Sequence, residues 1–240
     1  MNTAADYFSA QNLYKVWDSV TVDFSMKASE GTMTAILGPS GSGKSTILRI
    51  IAGLERCSPR PSSEHDRQPY ISLGGIDITR TAPALRGVGM VFQNHALFTH
   101  LRIDDNVAYG LRCAGMSKAE SRQHAQAYLE QFGLSGFGPR YPETLSGGEA
   151  QRVSLARTLI VHPRLVLFDE PLSALDTPLR RKLAADIRNL QKETGFTGII
   201  VTHSLEEAVT MADSLIFMEK GRKQWEGKPS LFSENMMPGC

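Results

Sequence analysis

The stretch "GPSGSGKS" (Gly38–Ser45) constrains the fold of this chain more than any other. It matches the pattern G-x-x-x-x-G-K-[ST], and it lies between the apolar run "TAIL" and the helical sequence "TILRIIAGL". A strand, a glycine-rich turn and a helix in this order place backbone N–H groups around phosphate oxygens at a helix N-terminus. We therefore predict a phosphate-binding loop between a buried strand and a helix.

The residue types within this loop suit a nucleoside triphosphate. The Lys44 ammonium adds a positive charge beside the phosphates, and the Ser45 hydroxyl can ligate Mg²⁺. The other positions, Pro39 excepted, supply backbone N–H groups, and the glycines add the conformational freedom that a tight turn needs. We expect the nucleotide-phosphate contacts to come from Gly38, Pro39, Ser40, Gly41, Ser42, Gly43, Lys44, Ser45 and Thr46.

A second apolar run, "RLVLFDEP", ends in the acids Asp169 and Glu170. Ligands collect at the carboxyl edge of a parallel sheet, which is where a strand of this kind would end beside the phosphate loop. Successive strand residues point to opposite sides, so the two acids can serve different tasks. We predict that Asp169 binds Mg²⁺, directly or through water, and that Glu170 orients and deprotonates the attacking water.

Strand-like and helix-like segments alternate along most of the chain, which indicates an α/β fold with a mainly parallel sheet. The stretch Val20–Ala28 alternates apolar and polar residues, as a half-buried strand does, and "TMTAIL", "LVLF" and "GIIV" are typical of fully buried strands. The central part is rich in helical patterns and interrupts the alternation. We predict helices over Asn106–Gly115, from Ser117 to a stop at Gly133, over Leu179–Thr194 and over Leu205–Ala212.

Composition excludes several classes of protein. Twenty-six Lys and Arg residues against 25 Asp and Glu residues give a net charge of +1, so no global field favours nucleic acid. The basic run Arg180–Lys182 is typical of a solvated helix face. The three scattered cysteines disfavour a disulfide framework and a zinc site. The start of the chain does not resemble a signal peptide, and the apolar runs are too short to cross a membrane, so any role at a membrane would require a partner.

The segment "ETLSGGEAQR" raises a separate question. Ser146 and Glu149 fit a capping box at the start of a helix. That reading leaves Gly147 and Gly148 unexplained, because each glycine costs roughly 1 kcal/mol against alanine inside a helix.

With "GPSGSGKST", "LSGGEAQR" and "LVLFDEP" in this order, the chain resembles the ATP-binding subunit of an ABC transporter, from about Leu13 to Gly227. The resemblance implies a P-loop NTPase core with an antiparallel β subdomain at the N-terminal side and an inserted α-helical subdomain. It implies one domain over residues 1–240, with the core at about 1–93 and 160–240 and the helical subdomain at about 94–159.

The same resemblance implies a head-to-tail dimer, in which each ATP lies between the phosphate loop of one copy and "LSGGE" of the other. Gly147 and Gly148 would let a helix N-terminus approach the partner's γ-phosphate, and Ser146 would hydrogen-bond to it. Glu149 stands where the family usually has Gln. A carboxylate there would repel phosphate, so we expect it to fold back onto Ser146.

Further positions match the family one at a time. Gln93 resembles the residue that senses Mg²⁺ and water and links the site to the membrane subunit. His203 resembles the γ-phosphate contact that positions the water, and Asp176 would cross the dimer interface. Trp17 resembles the aromatic residue that stacks on adenine, with Tyr14 as the alternative.

By resemblance, the partners are a second copy, transmembrane permease subunits and a periplasmic or surface solute-binding protein, without nucleic acid. The expected location is peripheral, at the cytoplasmic face of the bacterial inner membrane. The chain is most similar to importers of thiamine, iron(III), polyamines or sulfate, and its brevity favours the thiamine type. The alternatives are an exporter or lipoprotein-release ATPase, and a DNA-repair or regulatory ATPase of the same family.

Overall fold

The structure is a computed structural model that describes residues 6–17, 20–61, 67–173 and 175–233. The strands in these ranges are β1 (Phe8–Val16), β2 (Thr21–Ala28), β3 (Met33–Leu37), β4 (Tyr70–Leu73), β5 (Ile76–Asp77), β6 (Val88–Val91), β7 (Leu165–Asp169), β8 (Thr197–Thr202), β9 (Ser214–Glu219) and β10 (Arg222–Gly227). The α-helices are α1 (Lys44–Ala52), α2 (Ile103–Cys113), α3 (Lys118–Gln131), α4 (Gly147–Leu159), α5 (Thr177–Thr194) and α6 (Leu205–Met211).

All ten strands form one sheet in the order β5-β4-β1-β2-β10-β9-β3-β8-β7-β6. From β9 to β6, neighbouring strands run parallel. Every residue of β3, β7 and β8 is buried, as strands covered on both faces must be. The predicted α/β class with a mainly parallel core is confirmed.

Most strand pairs at the other side of the sheet are antiparallel, the β2–β10 pair being parallel. The β1 strand pairs antiparallel with β2 and with β4, and β4 pairs with β5 in the same way. The β2 strand alternates between buried and more exposed residues, as its sequence predicts. This part corresponds to the antiparallel subdomain that the family resemblance implied.

Helices cover both faces of the sheet. On one face, α1 packs Ile47, Leu48 and Ile51 against β1, β2 and the inner strands. On the other face, α5 and α6 contribute Leu183, Ile187 and Met211 to a second core with residues of β3 and β7. Each helix therefore buries one apolar stripe and presents its polar side outward.

Between β6 and β7 the chain forms α2, α3 and α4, which share a third cluster of buried residues. Ser117 caps α3 as predicted, and α3 ends at Gln131, two residues before the predicted stop at Gly133. The α2 helix begins at Ile103 instead of Asn106, because Asp104 and Asp105 occupy its first turn, where negative charge is favourable. The boundaries of a helical subdomain at 94 and 159 stay a prediction.

Among the helices in the described ranges, none is both long enough and apolar enough to cross a bilayer.

Candidate active site

Two glycines shape the loop between β3 and α1. A Cβ atom on Gly38 would collide with the carbonyl oxygen of Met218 on β9. A Cβ atom on Gly43 would lie 2.5 Å from the Val22 side chain, and Gly43 has a φ of 96°, in the left-handed region that L residues avoid. The close approach of β2 and β9 to the loop therefore requires glycine at both positions.

Lys44 begins α1 with its side chain folded back into the loop. Its ammonium donates hydrogen bonds to the carbonyl oxygens of Gly38 (2.8 Å) and Pro39 (2.9 Å). Burial lowers the pKa of Lys44, and the nearby carboxylates of Glu170 and Asp169 oppose that shift. The loop thus holds a positive charge at its centre rather than in solvent.

The next residue, Ser45, connects the loop to β7. The Ser45 hydroxyl donates a 2.6 Å hydrogen bond to Oδ1 of Asp169. A hydroxyl and a carboxylate at the edge of a phosphate loop are oxygen donors of the kind that Mg²⁺ prefers. The pair fits a Mg²⁺ ion bound together with nucleotide phosphates.

Glu170 follows β7 with a φ of 45°, and its N–H donates to the carbonyl oxygen of Val201 on β8. Its carboxylate lies 4.0 Å from the Lys44 Nζ and 3.4 Å from Nδ1 of His203, which follows β8. Asp169 and Glu170 therefore face different partners, as the alternation of strand side chains suggested. The structure brings together Lys44, Ser45, Asp169, Glu170 and His203.

A cavity of about 330 Å³ opens at this point. Trp17 lines it on one side, whereas Tyr14 does not line it and has the Arg60 guanidinium 4.6 Å from its ring centroid. The arrangement favours Trp17 over Tyr14 as the aromatic residue beside a bound base. The lining residues are Trp17, Val20, Ser40, Gly41, Gly43, Lys44, Ser45, Thr46 and Glu170.

A larger groove of about 650 Å³ lies at the amino ends of β7 and β8, beside Arg164 and Thr197. It carries none of the residues predicted for the site. The smaller cavity is the better candidate, because it joins the phosphate loop to Glu170 at the carboxyl edge of the sheet.

Gln93 is exposed in the turn that follows β6. The β6 strand pairs with β7 so that Val91 lies opposite Phe168. Gln93 therefore leaves the sheet at the same edge as Glu170, although it does not line the cavity. Its predicted role toward Mg²⁺ and water stays a prediction.

Ser146 caps α4, and the expected capping box is present. The Ser146 hydroxyl accepts from the Glu149 N–H, and Oε2 of Glu149 accepts from the Ser146 N–H (2.7 Å) and from its hydroxyl (2.8 Å). The prediction that Glu149 folds back is confirmed for the single chain.

Gly147 and Gly148 pack against the segment that leads into α5. A Cβ atom on Gly147 would lie 3.2 Å from the Leu175 side chain, and one on Gly148 would lie 3.2 Å from Leu179. Asp176, between those two leucines, caps α5 by accepting from the Leu179 N–H at 3.0 Å. The start of α4 thus packs against the leucines on either side of Asp176, and Ser146–Gly148 and Asp176 do not line the cavity of their own chain.

Sequence reasoning gave Ser42 only a general place in the loop. Its hydroxyl oxygen is buried and finds no hydrogen-bond partner within the described part of the chain. A buried, unpaired hydroxyl is unfavourable unless a ligand satisfies it, so Ser42 suits a phosphate oxygen.

Two further residues near the cavity were not predicted from the sequence. Lys15 contacts the Trp17 ring, and Glu55 accepts a hydrogen bond from Lys15.

The fold and the site together define a P-loop NTPase. The sequence pattern of the ABC transporter family matches residues 21–173, and the chain belongs to this family. The prediction of family is therefore confirmed.

Two similar proteins are named as import ATP-binding proteins. The chain is 44% identical over 221 residues to an Fe(3+) ions import ATP-binding protein (FbpC) of Agrobacterium fabrum, covering 91% of this chain and 60% of that protein. It is 46% identical over 200 residues to a sulfate/thiosulfate import ATP-binding protein (CysA) of Mycobacterium bovis, covering 83% of this chain and 54% of that protein. The chain thus spans little more than half the length of the curated relatives it matches.

Proposed function

We propose that this chain is an ATP-hydrolysing subunit that powers solute import through a membrane permease. The observation that carries the proposal is the position of the Glu170 carboxylate, between His203 at 3.4 Å and Lys44 at 4.0 Å, on the wall of the cavity beside the phosphate loop. The names of the relatives, which are ATP-binding proteins of importers, support the same reading.

The residues divide the chemistry among them. The triphosphate of ATP would lie in the loop Gly38–Thr46, with its charge offset by Lys44 and its oxygens bonded by loop N–H groups. Glu170 takes a proton from water as the water oxygen attacks the γ-phosphorus. The bond from that phosphorus to the β–γ bridging oxygen breaks, and ADP leaves. His203 orients the water and the γ-phosphate.

Mg²⁺ would be held by Ser45 and Asp169, whose oxygens already meet at 2.6 Å, with Gln93 at the same edge of the sheet. When bound, the ion supplies charge neutralisation for the phosphates.

We further propose a head-to-tail dimer of two copies. Its support is that Ser146 and Gly147 are exposed at the start of α4, that Asp176 is exposed at the start of α5, and that these residues and the buried Gly148 all lie outside the cavity of their own chain. Such a cluster can serve a nucleotide only if that nucleotide is bound by another copy. ATP would then close the dimer through contacts to both copies, and hydrolysis would release it.

The remaining partners follow from the proposed class. They are transmembrane permease subunits and a solute-binding protein, at the cytoplasmic face of the bacterial inner membrane, without nucleic acid. The relatives carry names with chemically unlike solutes, iron(III) and sulfate, so the cargo is proposed as a small solute or ion. Co-purification with a polytopic membrane protein tests this assembly, and co-purification with nucleic acid would contradict it.

The Glu170→Gln variant tests the chemistry. The amide keeps the shape of the side chain but cannot accept the proton, so turnover should fall by about 100-fold or more while ATP still binds. Phosphate release and equilibrium ATP binding measure the two effects. Glu219→Gln, at the carboxyl end of β9 and outside the cavity lining, is the matched control and should behave as the unchanged chain. Turnover of Glu170→Gln above half that of the control would show that the assigned base is wrong.

A further inference from the structure

Trp17 lies just beyond the end of β1 with 48% of its surface exposed. Two residues earlier on the same face of the chain, Lys15 places its Nζ atom 4.8 Å from the centroid of the Trp17 ring. This is a cation–π contact, in which the ammonium is attracted to the negative face of the indole. Lys15 itself does not line the cavity that Trp17 lines.

The Lys15 ammonium is fixed from its other side. It donates a 2.6 Å hydrogen bond to Oε1 of Glu55 and a 3.0 Å hydrogen bond to the carbonyl oxygen of Arg56. Only 15% of the Lys15 side chain and 29% of the Glu55 side chain are exposed. The hydrogen bond from Lys15 also lowers the pKa of Glu55, so the carboxylate stays charged at neutral pH.

Glu55 begins a polar, proline-rich segment that extends to Pro69, of which residues 62–66 lie outside the described residues. The first part of this segment is joined to β1. The Ser58 N–H donates to the carbonyl oxygen of Tyr14 (2.8 Å), and the Val16 N–H donates to the Ser58 hydroxyl (3.1 Å). The segment therefore holds the end of β1, from which Trp17 projects.

We propose that Lys15 and Glu55 are positioning residues for recognition of the nucleotide base. Glu55 fixes the Lys15 ammonium against one face of Trp17, and the ring is thereby held ready for the base of ATP to stack on its other face. This inference rests on the proposed ATP site and adds two residues to it.

The physical basis is preorganisation. An indole that projects from the end of a strand loses side-chain freedom when a base stacks on it, and that loss weakens binding. A ring already held by a fixed cation has less freedom to lose. The effect belongs to the base alone, because the triphosphate is bound by the separate loop at Gly38–Thr46.

Calorimetric titration with ATP and with inorganic tripolyphosphate separates these contributions. Lys15→Met keeps the apolar stem and removes the charge, and it should weaken ATP binding about three- to tenfold. Tripolyphosphate, which has no base, should bind the variant and the unchanged chain equally. Glu55→Gln should weaken ATP binding in the same direction. Lys27→Met, which removes an exposed lysine paired with Asp6 at 2.6 Å, is the matched control and should change neither titration.

A double substitution distinguishes positioning from general support of the fold. In a Trp17→Ala background, Lys15→Met should cause no further loss of ATP affinity, because the ring on which it acts is gone. The fluorescence of Trp17, measured after Trp225→Phe, should respond to ATP in both forms, with the midpoint shifted to higher ATP by Lys15→Met.

The outcomes separate two failures. If the unchanged chain binds neither ATP nor tripolyphosphate, the proposed nucleotide site is wrong. If it binds ATP and Lys15→Met leaves ATP affinity unchanged, the inference is wrong while the site stands. An equal loss for ATP and tripolyphosphate, or an undiminished effect of Lys15→Met without the Trp17 ring, would likewise overturn the positioning role.

Discussion

At the scale of single residues, Glu149 shows how a capping box holds a carboxylate against the start of its own helix. Its carboxylate accepts two hydrogen bonds from Ser146, from the backbone N–H and the hydroxyl. The negative charge thereby faces the first turn of α4, where the helix dipole favours it. The Ser146 backbone bond is the main cause that holds the pKa of Glu149 below its ordinary value of 4.5.

This geometry predicts a pH-dependent contribution to stability. Because the folded-state pKa is lowered, the contribution is present above pH 4.5 and is lost as pH falls through the lowered pKa. Glu149→Ala should therefore reduce the free energy of unfolding by about 1 kcal/mol at pH 7, the usual magnitude for a cap. Urea unfolding at pH 7 and at about pH 3 should show the difference shrinking at the lower pH.

Glu120→Ala provides the control for Glu149→Ala, since Glu120 has the same place after the Ser117 cap of α3. The described contacts of Ser117 include the bond that its hydroxyl accepts from the Glu120 N–H, but no bond from the Ser117 N–H to the Glu120 carboxylate. Its substitution should change stability less at pH 7. A loss for Glu149→Ala that is independent of pH would show that the charged capping bond is unimportant.

At the scale of secondary-structure elements, the sequence predicts a solvated helix face for Arg180–Lys182, and α5 divides this run. Arg181 is exposed and pairs with Glu206 at 2.6 Å. Arg180 turns inward, donating to the carbonyl oxygen of Leu175 (2.8 Å) and lying 3.6 Å from Glu207. The prediction is wrong for Arg180, because α6 packs against this part of α5.

Glu207 links that arginine to the end of β8. Its side chain is 5% exposed and accepts a 2.6 Å hydrogen bond from the Thr202 hydroxyl, directly before His203. Glu207→Ala would leave a buried hydroxyl and a partly buried guanidinium without this acceptor, so we expect a loss of about 2–3 kcal/mol in the free energy of unfolding. ATP turnover should fall as well, because the turn that carries His203 loses a support.

Glu206→Ala is the matched control for Glu207→Ala. It removes the neighbouring glutamate, whose ion pair with Arg181 is exposed, and should change stability by no more than about 0.5 kcal/mol. Equal stability losses in the two variants, measured by denaturant unfolding, would contradict the distinction between the buried and the exposed pair.

The elements that sequence reasoning did not predict have identifiable physical reasons. The β1 strand contains an irregularity between Ala10 and Leu13, where Asn12 has a φ of 56°, so its apolar residues do not alternate regularly. The β9–β10 hairpin turns at Lys220 and Gly221, both with positive φ, and its strands differ in burial. Alternation of apolar and polar residues reveals β2, but it does not reveal a strand in which a bulge interrupts the alternation.

The site was predictable to the extent that its residues lie in sequence-local motifs. Lys44, Asp169 and Glu170 follow from strand ends and a glycine loop, and the structure brings their side chains together. Lys15 and Glu55 are separated by 40 residues, and Arg180 and Glu207 by 27. These pairs depend on how helices and loops pack over the sheet, which spacing along the chain does not specify.

At the scale of the whole molecule, the two halves of the proposed site lie in different parts of one chain. The phosphate loop and Glu170 line the cavity, whereas Ser146, the cap of α4, lies outside that cavity. If hydrolysis requires both halves around one nucleotide, a dimer with cyclic symmetry contains two sites, each made from two copies. A variant defective in one half then disables both sites of its own dimer.

Mixing two inactive variants tests this arrangement. Glu170→Gln lacks the base, and Ser146→Arg obstructs the α4 N-terminus, so each alone should have little ATPase activity. After both are mixed and allowed to exchange subunits, half of the dimers pair unlike chains, and each such dimer has one site with an intact Glu170 and an intact Ser146. Activity should recover to about a quarter of that of the unchanged protein, if the two sites act independently.

The control for the mixing experiment adds Lys44→Ala to the Ser146→Arg chain. This places a phosphate-loop defect in the one complete site of the mixed dimer and should abolish recovery. Full activity of Ser146→Arg by itself would instead mean that a single copy completes the reaction, and the shared site would have to be abandoned.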